Sequence, residues 1–493
     1  MNFVLPLLIF LPLAGSLTLM LWRFQSETAA QKTAVGFSVA TLVWSLILCA
    51  SFDFSSSEMQ VVCKLWNRIP LLYVDGLSIF FVLLTTILVP LCLLASWHGI
   101  EKNIHRYLAL FLLLESLILG SFLVHPPILF YVFFEATLVP MFFLIGVWGG
   151  KDRVAAAIKF FLYTMAGSVL MLIGIISLYH ASLVAENQML DVLPFEARLQ
   201  LVVGIGFLAS FAVKVPMWPV HTWLPAAHVQ APTGVSMILA GVLLKMGGYG
   251  LVRFMLPYAP MPSYEWRWVM MALSVVAVIY ASLVALAQTN MKKLVAYSSI
   301  AHMGVVTLGI FSASLVGLTG AVFHMISHGL VSAGLFFVVG LFYQRTRSLE
   351  IKDYGGVAKV MPLLAVGFMV LTCASMGVPG TSGFVGELLV IIGAYGLHPL
   401  WAAGIAMGLI LAAIYSLKLY SGVMFGPVPG AAPRLPKLSF REKMILGPLV
   451  GLILLLGLYP TLILKPIEAS TQKIHQQWMR AKAVSSDPKR RDA

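Results

Sequence analysis

About fourteen apolar runs of some 20 residues follow one another from Phe3 to Leu464, and 20 residues is the length a helix needs to cross a roughly 30 Å hydrocarbon core. The connections are short and polar, so no soluble domain fits between the runs. Composition agrees: the 493 residues are 60% hydrophobic and only 10% charged, with a mean hydropathy of +0.94, outside the range of soluble domains. The chain therefore reads as an all-α polytopic membrane protein. Its first run lacks a basic start and is followed by Arg23, not a small-residue cleavage site, so it reads as a retained helix and not a signal peptide. Cys49, Cys63, Cys92 and Cys373 are scattered without the spacing of a disulfide framework or a metal cluster.

Two runs are interrupted at mid-membrane depth. Leu201 to Leu224 contains Pro216 and Pro219, and Leu363 to Tyr395 contains Val378-Pro-Gly-Thr-Ser-Gly383. Irregular backbone at that depth is tolerated only where protein buries it or it lines a wet cavity. Paired breaks in corresponding positions of two halves point to an inverted-repeat transporter. The similarity between the halves is faint, and proline and glycine are common in membrane helices, so chance remains the alternative.

Orientation follows from basic residues in alternate connections. The odd connections hold Arg23, Lys32, Lys102, Arg106, Lys151, Arg153, Lys292, Lys293, Arg345, Arg347, Lys352, Lys359, Arg434, Lys437, Arg441 and Lys443, against Lys64, Arg68, Arg198, Arg253 and Arg267 in the even ones. Odd connections are thus expected in the cytoplasm and both termini outside. The tail opposes this, with Lys465, Lys473, Arg480, Lys482, Lys489, Arg490 and Arg491. The net charge of +13 is accounted for by loops against anionic lipid and requires no nucleic acid.

Ionisable groups at membrane depth are expensive and mark ion paths by default. Lys214 stands directly before the first break, Lys245 in the middle of Gly234 to Gly250, and Glu115, Glu135 and Glu387 at similar depths. Glu135 and Lys214 brought together would restore each other's charge, and parting them would let the lysine release its proton. A fixed structural pair locking two helices is the competing reading. For Lys245 the alternative is snorkelling to the interface, although the glycines after it suggest close packing. Glu115 has depth as its only argument.

His324 and His328, four residues apart, share a helix face, and with His302, Ser298, Ser299 and Ser327 they form a polar seam. Taken singly, each histidine is better read as a packed, satisfied side chain. His221 and His228 fall in the proline-rich stretch after the first break, where two histidines seven apart without a third ligand are a weak metal motif. No dinucleotide, P-loop, flavin or iron-sulfur fingerprint is present, so redox chemistry and hydrolysis are not expected of this chain.

The stretch Lys214-Val-Pro-Met-Trp-Pro-Val-His221-Thr-Trp-Leu-Pro-Ala-Ala-His228-Val-Gln-Ala-Pro-Thr-Gly234 resembles the signature of the antiporter-like membrane subunits of respiratory complex I. Asp75-Gly-Leu-Ser78, the run from Phe134 to Gly146, Lys245-Met-Gly-Gly-Tyr-Gly250, Lys292-Lys-Leu-Val-Ala-Tyr-Ser-Ser299 and Ser327-His-Gly329 add to the likeness, which covers all but the termini. Within the family the chain is similar to the M-type branch, which carries a glutamate at the Glu387 position where L- and N-type relatives carry lysine. It also stops soon after the last run. Two departures from the family pattern are His125-Pro126-Pro127, where an acidic residue is usual, and Ser421-Gly422, where glutamine-arginine is usual, with Lys418 close by.

The resemblance implies fourteen helices in two inverted five-helix repeats: residues 1–106 (helices 1–3), 107–255 (first repeat), 268–425 (second repeat) and 426–493 (last helix and basic tail). It implies proton translocation through Glu135, Lys214, Lys245, His302, His328 and Glu387; from the residues themselves Glu115, His221, His228 and His324 are expected to support that path, and no cofactor or metal is expected in this chain. NADH, FMN, iron-sulfur clusters and quinone would belong to partner subunits, and N-type and L-type subunits would be its neighbours in the inner membrane of a bacterium, in preference to a mitochondrion. A subunit of a multisubunit cation/proton antiporter and a scaffold of a hydrogenase-type complex are the rival readings.

Overall fold

The computed structural model describes residues 3–22, 24, 26–65, 69–184, 196–427 and 436–485. Of the cations counted above, Arg23, Arg68, Arg434, Lys489, Arg490 and Arg491 lie outside the described residues. In chain order the elements are α1 (Val4–Leu21), α2 (Glu27–Ala50), β1 (Gln60–Leu65), β2 (Ile69–Val74), α3 (Ser78–Ala95), α4 (Ile104–Leu123), α5 (Pro127–Ala136), α6 (Leu138–Trp148), α7 (Arg153–Val184), α8 (Ala197–Lys214) and α9 (Trp223–Gln230). They continue with α10 (Thr233–Tyr258), α11 (Pro260–Glu265), α12 (Arg267–Ala287), α13 (Met291–Phe311), α14 (Leu315–Thr346), α15 (Pro362–Ser375), α16 (Ser382–Tyr395), α17 (Pro399–Met424), α18 (Phe440–Leu458) and α19 (Thr461–Ser485).

Among the described residues, twelve helices are long and apolar enough to cross a membrane, or thirteen if α18 and α19, bent 69° apart at Tyr459 and Pro460, count as one. The second interrupted run forms two shorter apolar helices, α15 and α16. Helix is imposed by the solvent, because lipid offers no partner to an unpaired backbone group. Ends are set by local signals. Asn290 Oδ1 accepts from the backbone of Lys292 and Lys293 (3.0 and 3.1 Å) at the start of α13. Ser439 and Glu442 form a capping box on α18, and Arg345 donates twice to that glutamate (3.0 and 2.9 Å).

Burial sets two classes of helix at opposite extremes, with the others between them. The apolar windows of α10 and α14 are 100% buried and that of α13 is 94% buried, against 28–39% for α1, α2, α7 and α17. The second class presents side chains such as Phe10, Val43, Ile176 and Ile410 outward, as a lipid face requires. The first class forms the axis of the molecule and carries the lysine and histidines singled out above.

Two features differ from the sequence reading. The second connection holds a β-hairpin, β1 pairing antiparallel with β2, tied to the end of α4 by a Leu72–Val124 bridge. Period-2 patterning over six residues is easily lost between runs three times as long. The tail is not a plain basic extension: residues from Thr461, which include the expected end of the last span, turn across one face as α19. Thr471 bonds Thr319 (2.8 Å), His475 Nε2 meets the Ala313 carbonyl (3.1 Å), Trp478 donates to the Pro260 carbonyl (3.2 Å), and Lys473 pairs with Glu58 (3.4 Å). These partners belong to the second, eighth and tenth connections or their edges, so α19 shares the hairpin face with the even connections. Trp44 donates to the Val4 carbonyl (3.0 Å) and holds the N-terminus there too. On the opposite face, odd connections join one another: Trp148 to the Lys102 carbonyl (2.7 Å) and Arg345 to Glu442.

Candidate functional site

Lys245 is fully buried near the middle of α10. That helix widens into π turns at Leu239–Leu243 and Leu251–Met255, on either side of the lysine. π turns disturb the regular carbonyl ladder and cluster at functional sites. Here the Ala240 carbonyl accepts from Lys245 Nζ, which also meets His328 Nδ1 of α14 at 2.8 Å. Glycines permit the approach. A Cβ on Gly247 would lie 2.8 Å from Val215 Cγ2 and 3.1 Å from Lys214 Cβ, so this glycine seats α10 directly on the first break. Snorkelling is thereby excluded.

From His328 the polar chain continues through α13 to α16. The rings of His328 and His302 are 5.4 Å apart, those of His302 and His324 5.5 Å. His302 Nδ1 meets Glu387 Oε1 at 3.1 Å and its Nε2 meets Ser375 Oγ at 3.3 Å, while His324 Nε2 stands 3.8 Å from the same carboxylate oxygen. Glu387 sits beyond the first turn of α16, close enough to Gly377 that a Cβ there would come within 2.3 Å of Oε2. Ser327 donates to Ser382, the first residue of α16, at 2.7 Å, whereas Ser298 and Ser299 turn back onto the Val295 carbonyl. His302, His324 and Glu387 offer three donor atoms within 4.8 Å of one another, a metal-like spacing absent from the sequence reading. Three donors are one short of a closed structural site.

At the first break, Lys214 is the last residue of α8, where a cation complements the helix dipole. Its ammonium lies 4.7 Å from the centre of the Phe134 ring and 3.5 Å from Thr137 Oγ1. Glu135, half-buried at the end of α5, interacts with Lys214 electrostatically, but its Oε2 has no hydrogen-bond partner. The expected pair is thus adjacent and unbridged.

The supporting residues divide. His228 stacks on Phe336 (4.3 Å between ring centres) and feels both Lys245 and Lys292. His221 packs edge-on against Tyr280 at the first break. Glu115 stands apart on α4, fully buried beside Cys92 with neither oxygen hydrogen-bonded.

Two polar groups were misplaced by the sequence reading, and a third, Lys418, was noted there by position alone. Arg253, counted there as a loop cation, is partly buried and paired with Asp75, which also caps α3 through the backbone of Leu77 and Ser78 (3.1 and 2.9 Å). Asp75-Gly-Leu-Ser78 was the available signal. Lys292, likewise counted as a loop cation, is buried and donates to the Ala231 carbonyl at 2.5 Å. Lys418 donates to the Leu286 carbonyl at 2.6 Å, binding the end of α12 near the unusual Ser421-Gly422.

Residues 127–414, more than half the chain and spanning both breaks, match the model of the family described as NADH:quinone oxidoreductase/Mrp antiporter, transmembrane. The chain belongs to that family. Among the relatives of this NADH:quinone oxidoreductase/Mrp antiporter member, the NADH-quinone oxidoreductase subunit M of Rhodobacter capsulatus is 45% identical, with 97% of each chain covered. The subunit M of Rickettsia conorii is also 45% identical over 96% of this chain and 98% of its own length. A chain of respiratory complex I from Thermus thermophilus with bound NADH superposes with a TM-score of 0.87 at 30% identity, covering 96% of this chain and 99% of that one.

Proposed function

We propose that this chain is a proton-translocating, M-type membrane-arm subunit of an NADH:quinone oxidoreductase, in the plasma membrane of a bacterium. NADH, FMN, iron-sulfur clusters and quinone act in partner subunits, and N-type and L-type subunits flank it. The family membership and the M-named relatives support the assignment. The observation that carries the mechanism is the near-continuous contact series Lys245, His328, His302, Glu387, which runs through the three most buried helices and ends on α16.

A proton on Lys245 Nζ has His328 Nδ1 as its acceptor; imidazoles accept on one nitrogen and release from the other, which passes the charge toward His302 and Glu387. The Lys214–Glu135 pair governs loading. With the carboxylate drawn onto the ammonium, positive charge is held at the break; with the two parted, Lys214 releases its proton toward Lys245, whose helix Gly247 seats against the break. Taking α15 and α16 as one discontinuous span gives fourteen crossings, in the units 1–106, 107–255, 268–425 and 426–493. The odd connections then face the cytoplasm, and the hairpin, α19 and the termini face outward.

The test is NADH-driven acidification of proteoliposomes containing the assembled complex. Replacing Lys214 or Glu135 by alanine abolishes or sharply cuts coupled turnover while assembly persists. Full pumping in both variants would overturn the proposal.

A further inference from the structure

On the face opposite the hairpin, a cavity of about 360 Å³ opens between the connections that precede α4, α7, α10 and α13; Lys151, Gln230, Thr233, Gln344 and Arg347 line it, and Lys292 stands in its wall. Lys292 is only 8% exposed. The carbonyl it holds belongs to Ala231, the residue that ends α9. One turn earlier on α9 is His228, fully buried, with neither ring nitrogen hydrogen-bonded and its backbone carbonyl accepting from Ser236 of α10 (3.2 Å). Electrostatically His228 couples to Lys292 on one side and to Lys245 and His328 on the other. The hairpin-face cavity, about 290 Å³, instead meets Arg253 and Asp75, a fixed ion pair in which the guanidinium does not give up its proton.

We propose that this cavity is the inlet of the acid-base chain, with Lys292 as the first proton carrier and His228 as the relay from it to Lys245. The proposal rests on the translocation reading above. It assigns work to a lysine that would otherwise only cap α9. The two roles are separable, because arginine also caps a carbonyl and keeps the charge but does not release its proton.

The experiment uses the assembled complex in inside-out membrane vesicles. Lys292→Arg and Lys292→Cys each lower NADH-driven proton pumping on the order of tenfold, below the ceiling for a positioned proton-transfer group. The Lys292→Cys thiolate is then treated with aminoethyl methanethiosulfonate; it attacks the sulfenyl sulfur, a disulfide forms and methanesulfinate leaves. The product carries a primary amine at nearly the reach of lysine and recovers most of the lost activity. The trimethylammonium reagent attaches a fixed cation from the cavity face and recovers none. Wild-type activity in Lys292→Arg, or equal recovery with both reagents, overturns the inlet and leaves a structural cap. Lys245→Ala is run in parallel: if it too pumps normally, the translocation reading has failed, and not the inlet alone.

Discussion

The two helix breaks differ in how tightly their charges are held. Lys214 occupies the carbonyl end of α8, which favours a cation, whereas Glu387 stands beyond the first turn of α16 and depends on its side-chain neighbours. Glu387 is bonded to His302, approached by His324 and wedged against Gly377. Lys214 meets a hydroxyl at 3.5 Å and the faces of two rings, with its carboxylate partner unbridged. A wired carboxylate suits a fixed relay. An ammonium with loose contacts can change partner by a small side-chain movement, as a gate requires.

The sharpest way to break this comparison is to cut the segment common to both halves. Lys245→Ala is expected to lower coupled quinone reduction on the order of 100-fold, the scale of a lost proton-transfer group; turnover with normal proton uptake would take Lys245 out of the path and overturn the translocation reading that joins the two breaks. Next comes Glu387→Gln, which keeps a hydrogen-bonding oxygen for His302 but not a transferable proton; about a tenfold loss of pumping is expected, read from the acidification rate. A double-mutant cycle on thermal stability then compares the pairs directly. His302 and Glu387, in contact, should couple by about 1–3 kcal/mol, whereas Glu135 and Lys214 should fall below roughly 0.5 kcal/mol; equal values would erase the distinction between wired and loose breaks. The smallest effect belongs to Thr137→Val, which removes only the long contact to Lys214 and should change turnover by less than about twofold, since a net hydrogen bond contributes on the order of 1 kcal/mol.

Much of the site was legible because charge in an apolar run is conspicuous. Lys245, His302, His328 and Glu387 were each visible from depth and helical phase, and the structure brings them into one chain. Lys292 and Arg253 were misplaced for the same reason in reverse: a cation near a run's end reads as a loop residue, although one holds a helix-ending carbonyl and the other an aspartate 178 positions away in sequence. Glu135 and Lys214 were matched by charge complementarity, which fixes that they attract but not the distance at which packing leaves them.

Sequence by itself determined that the chain is a polytopic helical membrane protein with two interrupted segments and its ionisable groups at depth. Hydrocarbon thickness and the cost of unpaired backbone leave few alternatives once the apolar runs are counted. Only the tertiary structure decided that α10, α13 and α14 form the buried axis, that Gly247 brings Lys245 onto the first break, and that α19 folds back on the hairpin face. Lipid is nearly as apolar as a helix surface, so hydropathy does not tell a lipid-facing helix from a central one; close packing of small residues and polar contacts between distant segments make that choice.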